Sequence, residues 1–133
     1  LIFYIHSFPG LAMTTIEVAN TLVQLCREGK NHEAITSLYA DGIVSVEASA
    51  PEGTSRESTG RDVVMAKGQW WVDNHEIHEA NVTGPWPNGD QFIVGFRYDI
   101  TFKPTGNRFV MEEMGLYTVQ DGKIAQEAFF YGM

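Results

Sequence analysis

Three glycine-bearing breaks, Asn88-Gly89-Asp90, Thr105-Gly106-Asn107 and Asp121-Gly122, limit the folds open to this chain more than anything else in it. Each supplies the backbone freedom that a tight hairpin turn needs, and the segments between them are rich in aromatic and β-branched residues. The chain is therefore expected to fold back on itself as four successive strands, over about 76–85, 90–104, 108–119 and 123–131. In the second of these, Phe92, Val94, Phe96, Tyr98, Ile100 and Phe102 share one face, while Arg97, Asp99 and Lys103 share the other. Burying the charged face would cost more than it gains, so the aromatic face is the covered one.

The half before these strands reads differently. Thr14 and Glu17 have capping-box spacing, and Ile16, Ala19, Leu22, Val23 and Cys26 recur at helical intervals, so a helix is expected from there to about Glu28. Gly29 stops it. Asn31 is placed to cap a second short helix with Ala34, Ile35 and Leu38 on one face, ending at Asp41-Gly42. Residues 43–48 read as a strand, and residues 50–60, with Pro51, Gly53 and several Ser and Thr, as an exposed loop. A third helix is expected from Arg61 to about Asp73, burying Val63, Ala66 and Trp70. Helix, helix, strand, helix and then an antiparallel meander is an α+β order. Residues 1–12 are apolar, aromatic and free of basic residues; they are read as an N-terminal extension, with Met13 as the expected natural start.

Composition narrows the partners. Nine Lys and Arg against 17 Asp and Glu give a net charge of −8, with no basic stripe, so neither nucleic acid nor an anionic membrane surface is an expected partner. The single cysteine, Cys26, makes no internal disulfide, and with no export signal a reducing cytoplasm is the expected compartment. His75-x-x-His78 has a metal-like spacing, but it falls where helix should become strand, so no metal is expected there. The sequence holds no glycine-rich phosphate loop, no Ser-His-Asp arrangement and no flavin or nicotinamide fingerprint, so no cofactor is expected.

Leu38-Tyr39-Ala40-Asp41-Gly42 before the first strand, and Tyr117-Thr118-Val119-Gln120-Asp121-Gly122-Lys123-Ile124 across the last hairpin, resemble the nuclear transport factor 2-like superfamily. Within it the sequence looks closest to SnoaL-like proteins of the polyketide cyclase and steroid isomerase type. The resemblance implies one domain over residues 13–133. Its expected form is a cone-shaped α+β barrel, three N-terminal helices packed on a strongly curved, mostly antiparallel sheet around a small hydrophobic pocket.

The same resemblance nominates residues. Glu47 falls where steroid isomerase relatives carry the Asp that shuttles a proton. In the last strand, alternation groups Ala125, Glu127, Phe129 and Tyr131 against Ile124, Gln126, Ala128 and Phe130, and the family pattern turns the Glu127 set inward. In the strand before it, Met111, Glu113, Gly115, Tyr117 and Val119 are favoured inward over Glu112, Met114 and Leu116. A one-residue slip would exchange Glu113 for Glu112. If Glu113 and Glu127 both face inward they would be cross-strand neighbours, roughly 5–8 Å apart, and one would hold a proton. Glu47, Glu113 and Glu127 are thus the catalytic candidates, and Tyr98, Tyr131, Phe96, Phe129, Tyr117 and Trp70 the substrate-binding ones. Relatives that isomerise steroids use a first-helix tyrosine and a strand acid where this chain has Leu22 and Gly115, so a faithful steroid isomerase is not expected.

The resulting expectation is cofactor-free acid/base proton transfer on a small hydrophobic carbonyl compound, of isomerase or cyclase-lyase type, in a homodimer joined partly through the outer sheet face. The alternatives are a non-catalytic ligand-binding module and a dimerisation scaffold of the same fold.

Overall fold

A computed structural model describes residues 12–131, so the expected N-terminal extension lies, but for Ala12, outside the described residues. The first helix of the described residues, α1 (Thr15–Arg27), starts on the capping box: Glu17 N donates to Thr14 Oγ1 at 3.2 Å and Thr14 N to Glu17 Oε1 at 2.9 Å. It buries Val18, Ala19, Leu22 and Val23. Ile16, expected on that face, is 47% exposed, and Val18 takes its place. The second helix, α2 (Asn31–Leu38), begins one residue after an uncapped Lys30 and buries Ala34 and Leu38.

Strand β1 (Tyr39–Val46) starts four residues earlier than its β-branched run suggests. Pairing with the last strand holds Tyr39 opposite Ile124, and an irregularity between Tyr39 and Val44 absorbs the intervening residues. Inside the expected loop lies a three-residue strand, β2 (Glu57–Thr59), antiparallel to β1. Its turn-rich composition carries no strand signal; the partner's free edge makes it a strand. Helix α3 (Arg61–Asn74) buries Val64 instead of the expected Val63, which is 48% exposed. The buried stripe sits one residue later than predicted, so Trp70 points out and Trp71 in.

The meander follows as β3 (His75–Asn88), β4 (Gln91–Phe102), β5 (Asn107–Gln120) and β6 (Lys123–Tyr131). The six strands run in the order β2-β1-β6-β5-β4-β3, with β1 and β6 parallel and the other pairs antiparallel. The sheet is curled but not closed, so the expected barrel is an open cone with β2 and β3 as its free edges. At the last hairpin Asp121 and Gly122 both take positive φ, 51° and 75°, as a two-residue turn of this hand requires. A side chain at Gly122 would also lie 2.8 Å from Met13 N.

The core forms where α1 lies across β3 and β4. Val18, Leu22 and Val23 meet Phe92, Val94 and Phe96 from the expected aromatic face of β4. The opposite face carries ion pairs: Asp99 accepts two hydrogen bonds from Arg108, at 3.0 and 2.9 Å, and Arg97 meets Glu112 at 3.3 Å. Glu112 therefore faces out and Glu113 in. No helix of the described residues is long and apolar enough to cross a membrane.

Candidate functional site

One register row crosses the concave face of the sheet: Ser58 of β2, Ser45 of β1, Glu127 of β6, Tyr117 of β5 and Phe92 of β4 stand opposite one another in turn. It is polar at the β2 end and aromatic at the other. Glu127 sits in its middle, only 4% exposed. Ser45 Oγ donates to Glu127 Oε2 at 2.7 Å, and the hydroxyl of the buried Tyr39 donates to Oε1. Burial raises the proton affinity of the Glu127 carboxyl, and the hydrogen bonds from Tyr39 and Ser45 oppose it; the Glu47 charge adds to the rise and Lys67 opposes it. Burial dominates, so the carboxyl holds its proton to a higher pH than an ordinary Glu.

A bulge delivers Glu127 to this position. Thr118 pairs with Gln126 but Val119 with Ile124, so Ala125 is an extra residue on β6. Ile124, expected on the opposite face from Glu127, is consequently fully buried on the same side. Simple alternation misplaces it for that reason.

The second acid lies further along. Glu113 stands between Phe96 of β4 and Tyr131 of β6. Glu113 and Glu127 are therefore not the direct cross-strand neighbours expected. They are offset by four positions, about 13 Å of strand, with the Gly115–Phe129 pair between them. Gly115 has no side chain to fill that gap, and the Tyr117 ring leans back over it. A Cβ on Gly115 would lie 2.8 Å from Tyr117 Cε2 and 3.1 Å from its hydroxyl. The Tyr117 hydroxyl thus lies between the two acids. Burial, then the charges of Glu47 and Glu127, push the Glu113 carboxyl up to about 7.

The remaining candidates divide into wall and rim. Phe96 is 7% exposed and stacks on Tyr98 with ring centres 6.1 Å apart; Tyr117 stacks on Phe92 at 5.0 Å and meets Phe129 edge-on at 6.2 Å. Burial raises the phenol groups of Tyr39, Tyr98 and Tyr117, so all three stay protonated donors at neutral pH. Cys26 of α1 faces the same interior, and burial together with the Glu127 charge pushes its thiol up to about 12. Glu47, just past β1, lies at the rim with Lys67 Nζ 2.8 Å from its Oε1.

Two placements differ from expectation. Tyr131 is 49% exposed at the end of β6, where Ser49 Oγ donates to its hydroxyl at 3.4 Å. Trp70 is 57% exposed, because α3 is rotated by about one residue from the expected stripe. Trp71 faces the interior in its stead, 5.7 Å from the Tyr98 ring and stacked on His75 at 4.4 Å. His75 Nδ1 pairs with Trp71 O at 2.7 Å and His78 Nε2 with Thr101 Oγ1 at 2.7 Å, so each histidine has a structural partner. A surface cleft of about 310 Å³ between Tyr39, Asp41, Arg61, Asp121 and Lys123 shares Tyr39 with this site but includes none of the candidate acids. The site is defined by its buried acids and hydroxyls.

Tyr39, Ser45, Lys67 and Trp71 were not among the sequence candidates. Ser45 did carry a signal, a polar residue on the same face of a β-branched strand as Ile43. Tyr39 lies within the Leu38-Tyr39-Ala40 motif, where the local pattern continues the second helix toward Asp41-Gly42 and gives no sign of a strand. Lys67 had none: nothing local distinguishes it from any other helix lysine.

Among the described residues, three helices on an open, curled and mostly antiparallel six-stranded sheet make the α+β fold of the nuclear transport factor 2-like class. The SnoaL-like domain matches residues 13–131, and the chain belongs to that family. A solved protein of Mesorhizobium loti, provisionally named a SnoaL-like polyketide cyclase, is 45% identical; the match covers 90% of this chain and 100% of that one, with a TM-score of 0.83. A provisionally named isomerase of Bacillus subtilis shares 17% identity over 90% of each chain at a TM-score of 0.74. A provisionally named SnoaL-like polyketide cyclase of Jannaschia shares 15% over 93% of this chain and 88% of its own, at 0.70. These last two share the fold. No curated protein matches the chain.

Proposed function

We propose that the protein carries out cofactor-free acid/base proton transfer on a small hydrophobic compound bearing a carbonyl group. One observation carries this reading: Glu113, a carboxyl pushed up to about 7, faces the same interior as the hydrogen-bonded and buried Glu127. A base is most effective when its proton affinity matches working pH, and near neutrality Glu113 is divided between its two forms. In its ionised form it takes a proton from the carbon beside the carbonyl and, once protonated, returns it at another position. The hydroxyls of Tyr98 and Tyr117 are the donors that orient the carbonyl oxygen. Phe96, Phe129 and Trp71 supply apolar walls. The 45% identity to a provisionally named cyclase supports a cyclase-type reaction over others of this chemistry.

The test is exchange of the protons beside a ketone into deuterated water, followed by proton NMR over a panel of bicyclic and tricyclic ketones. Wild-type protein should accelerate exchange for at least one of them, and Glu113→Gln should remove about a hundredfold or more of that rate, as loss of a general base does. Equal rates in the two proteins would sink the assignment. A non-catalytic module is the second reading, favoured by the depth to which Phe96 and Tyr117 pack into the core. On that reading no protein form accelerates exchange, whether or not a ketone binds.

A further inference from the structure

The polar end of the cross-sheet row leads outward to one cation. Lys67 of α3 places Nζ 2.8 Å from Glu47 Oε1 and 3.2 Å from Ser58 Oγ. Ser58 stands opposite Ser45, and Ser45 donates to Glu127, so Lys67 sits against the polar end of a row that holds the buried acid at its middle. We propose that Lys67 is a positioning residue for Glu127: held by Glu47 and Ser58 at the sheet edge, it balances the rim carboxylate that the interior acids face. The inference rests on the acid/base reading above and adds to it the group that tunes the acids.

The charged and titratable groups around these acids come from every packed element. Glu127 is faced by Tyr39 and Ser45 of β1, Tyr117 of β5, Cys26 of α1, Lys67 of α3 and the rim Glu47. Glu113 is faced by Glu47, Glu127, Tyr98 and Tyr117. Among these groups Lys67 is the cation. Because its charge and that of Glu47 are opposite and adjacent, deleting either one exposes the other to the interior. Loss of Lys67 leaves Glu47 unbalanced and makes Glu127 hold its proton to higher pH. Loss of Glu47 leaves Lys67 unbalanced and makes Glu113 and Glu127 release theirs at lower pH. Damage to the fold has no reason to produce opposite signs from two neighbouring changes.

The experiment is a carbon-13 NMR titration of the full chain, with the Glu113 and Glu127 carboxyls assigned by Gln replacement. Lys67→Met should raise the Glu127 midpoint by about half to one pH unit, the size expected of a nearby charge behind partial screening. Lys67→Arg should bring it back. Glu47→Gln should lower both midpoints, and the double variant should return Glu127 toward wild type. A Glu127 midpoint that stays put in Lys67→Met, or moves the same way in both single variants, overturns the inference while leaving the acid/base reading intact. Wild-type midpoints at the ordinary ~4.3 for both acids would overturn the two together. Should Lys67→Met fail to fold, Lys67→Gln takes its place, with the same rise in the Glu127 midpoint expected and an unmoved midpoint again overturning the inference.

Discussion

Replacing Glu113 by Gln should stabilise the protein, and only above a definite pH. The Glu113 carboxyl is pushed from 4.5 up to about 7 in the folded chain. Below pH 4.5 both folded and unfolded chains keep this proton, and ionisation contributes no difference. As pH rises through the interval, the unfolded chain releases a proton that the folded chain retains, so wild-type stability falls; the full loss is reached once pH passes the folded value near 7. At 1.36 kcal/mol per pH unit, the gap between 4.5 and about 7 is worth about 3 kcal/mol. Gln has a similar shape and no charge to desolvate, so its curve lacks this descent. Urea unfolding followed by tryptophan fluorescence at intervals from pH 4 to pH 8.5 measures both curves, and the chain's three Trp residues supply the signal. The variant should match wild type near pH 4 and exceed it by about 3 kcal/mol at pH 8, a large share of a typical domain's 5–15 kcal/mol. Subtraction removes the carboxyls of opposite behaviour, such as Asp99, held low by Arg108. A difference that does not change between pH 4 and pH 8 would refute the placement of Glu113 in a desolvated interior.

Two further outcomes are expected. Gly115→Ala pushes a methyl group to 2.8 Å from the Tyr117 ring; it should cost about 1–3 kcal/mol in urea unfolding and shift the Tyr117 ring resonances. Gly42→Ala, with open space around it, should do neither, and equal effects from both would show that the Tyr117 ring does not rest on Gly115. On the outer sheet face, Ile93, Met114 and Phe130 are 37%, 41% and 52% exposed on neighbouring strands, a surface suited to a second copy of the chain. Light scattering should then give a dimer that Met114→Glu or Phe130→Glu converts to monomer, and a wild-type 14.9 kDa monomer at all concentrations would dismiss that interface.

Much of the architecture was legible because its signals are local. The capping box at Thr14, the alternation of Phe92 to Phe102 and the turn chemistry at Asp121-Gly122 each act within a few residues, and each produced the element expected of it. The elements missed are those created by a partner. β2 is a strand only because β1 offers an edge, and Tyr39–Gly42 is extended only because β6 lies beside it. Helix α3 shows the intermediate case: its span was readable, but its rotation was not, because Val63 and Val64 are equally apolar and Trp70 and Trp71 are identical. What α2 and β1 present to it decides which of each pair is covered.

The candidate site follows the same division. By itself the sequence determined the strand positions of Glu113 and Glu127, and the tight turn that brings β5 back along β6. Which acids meet was a tertiary matter. The extra residue at Ala125 resets the alternation of β6, the four-position offset separates two acids that looked adjacent, and Gly115 opens the space that Tyr117 occupies between them. The partners of Glu127 come from far along the chain, Tyr39 and Ser45 being 88 and 82 residues away. A carboxyl's proton affinity depends on burial and on charges a few ångströms off, quantities set by the packed fold. Sequence spacing carries residues to strands, and only the packing of the strands assembles their electrostatics.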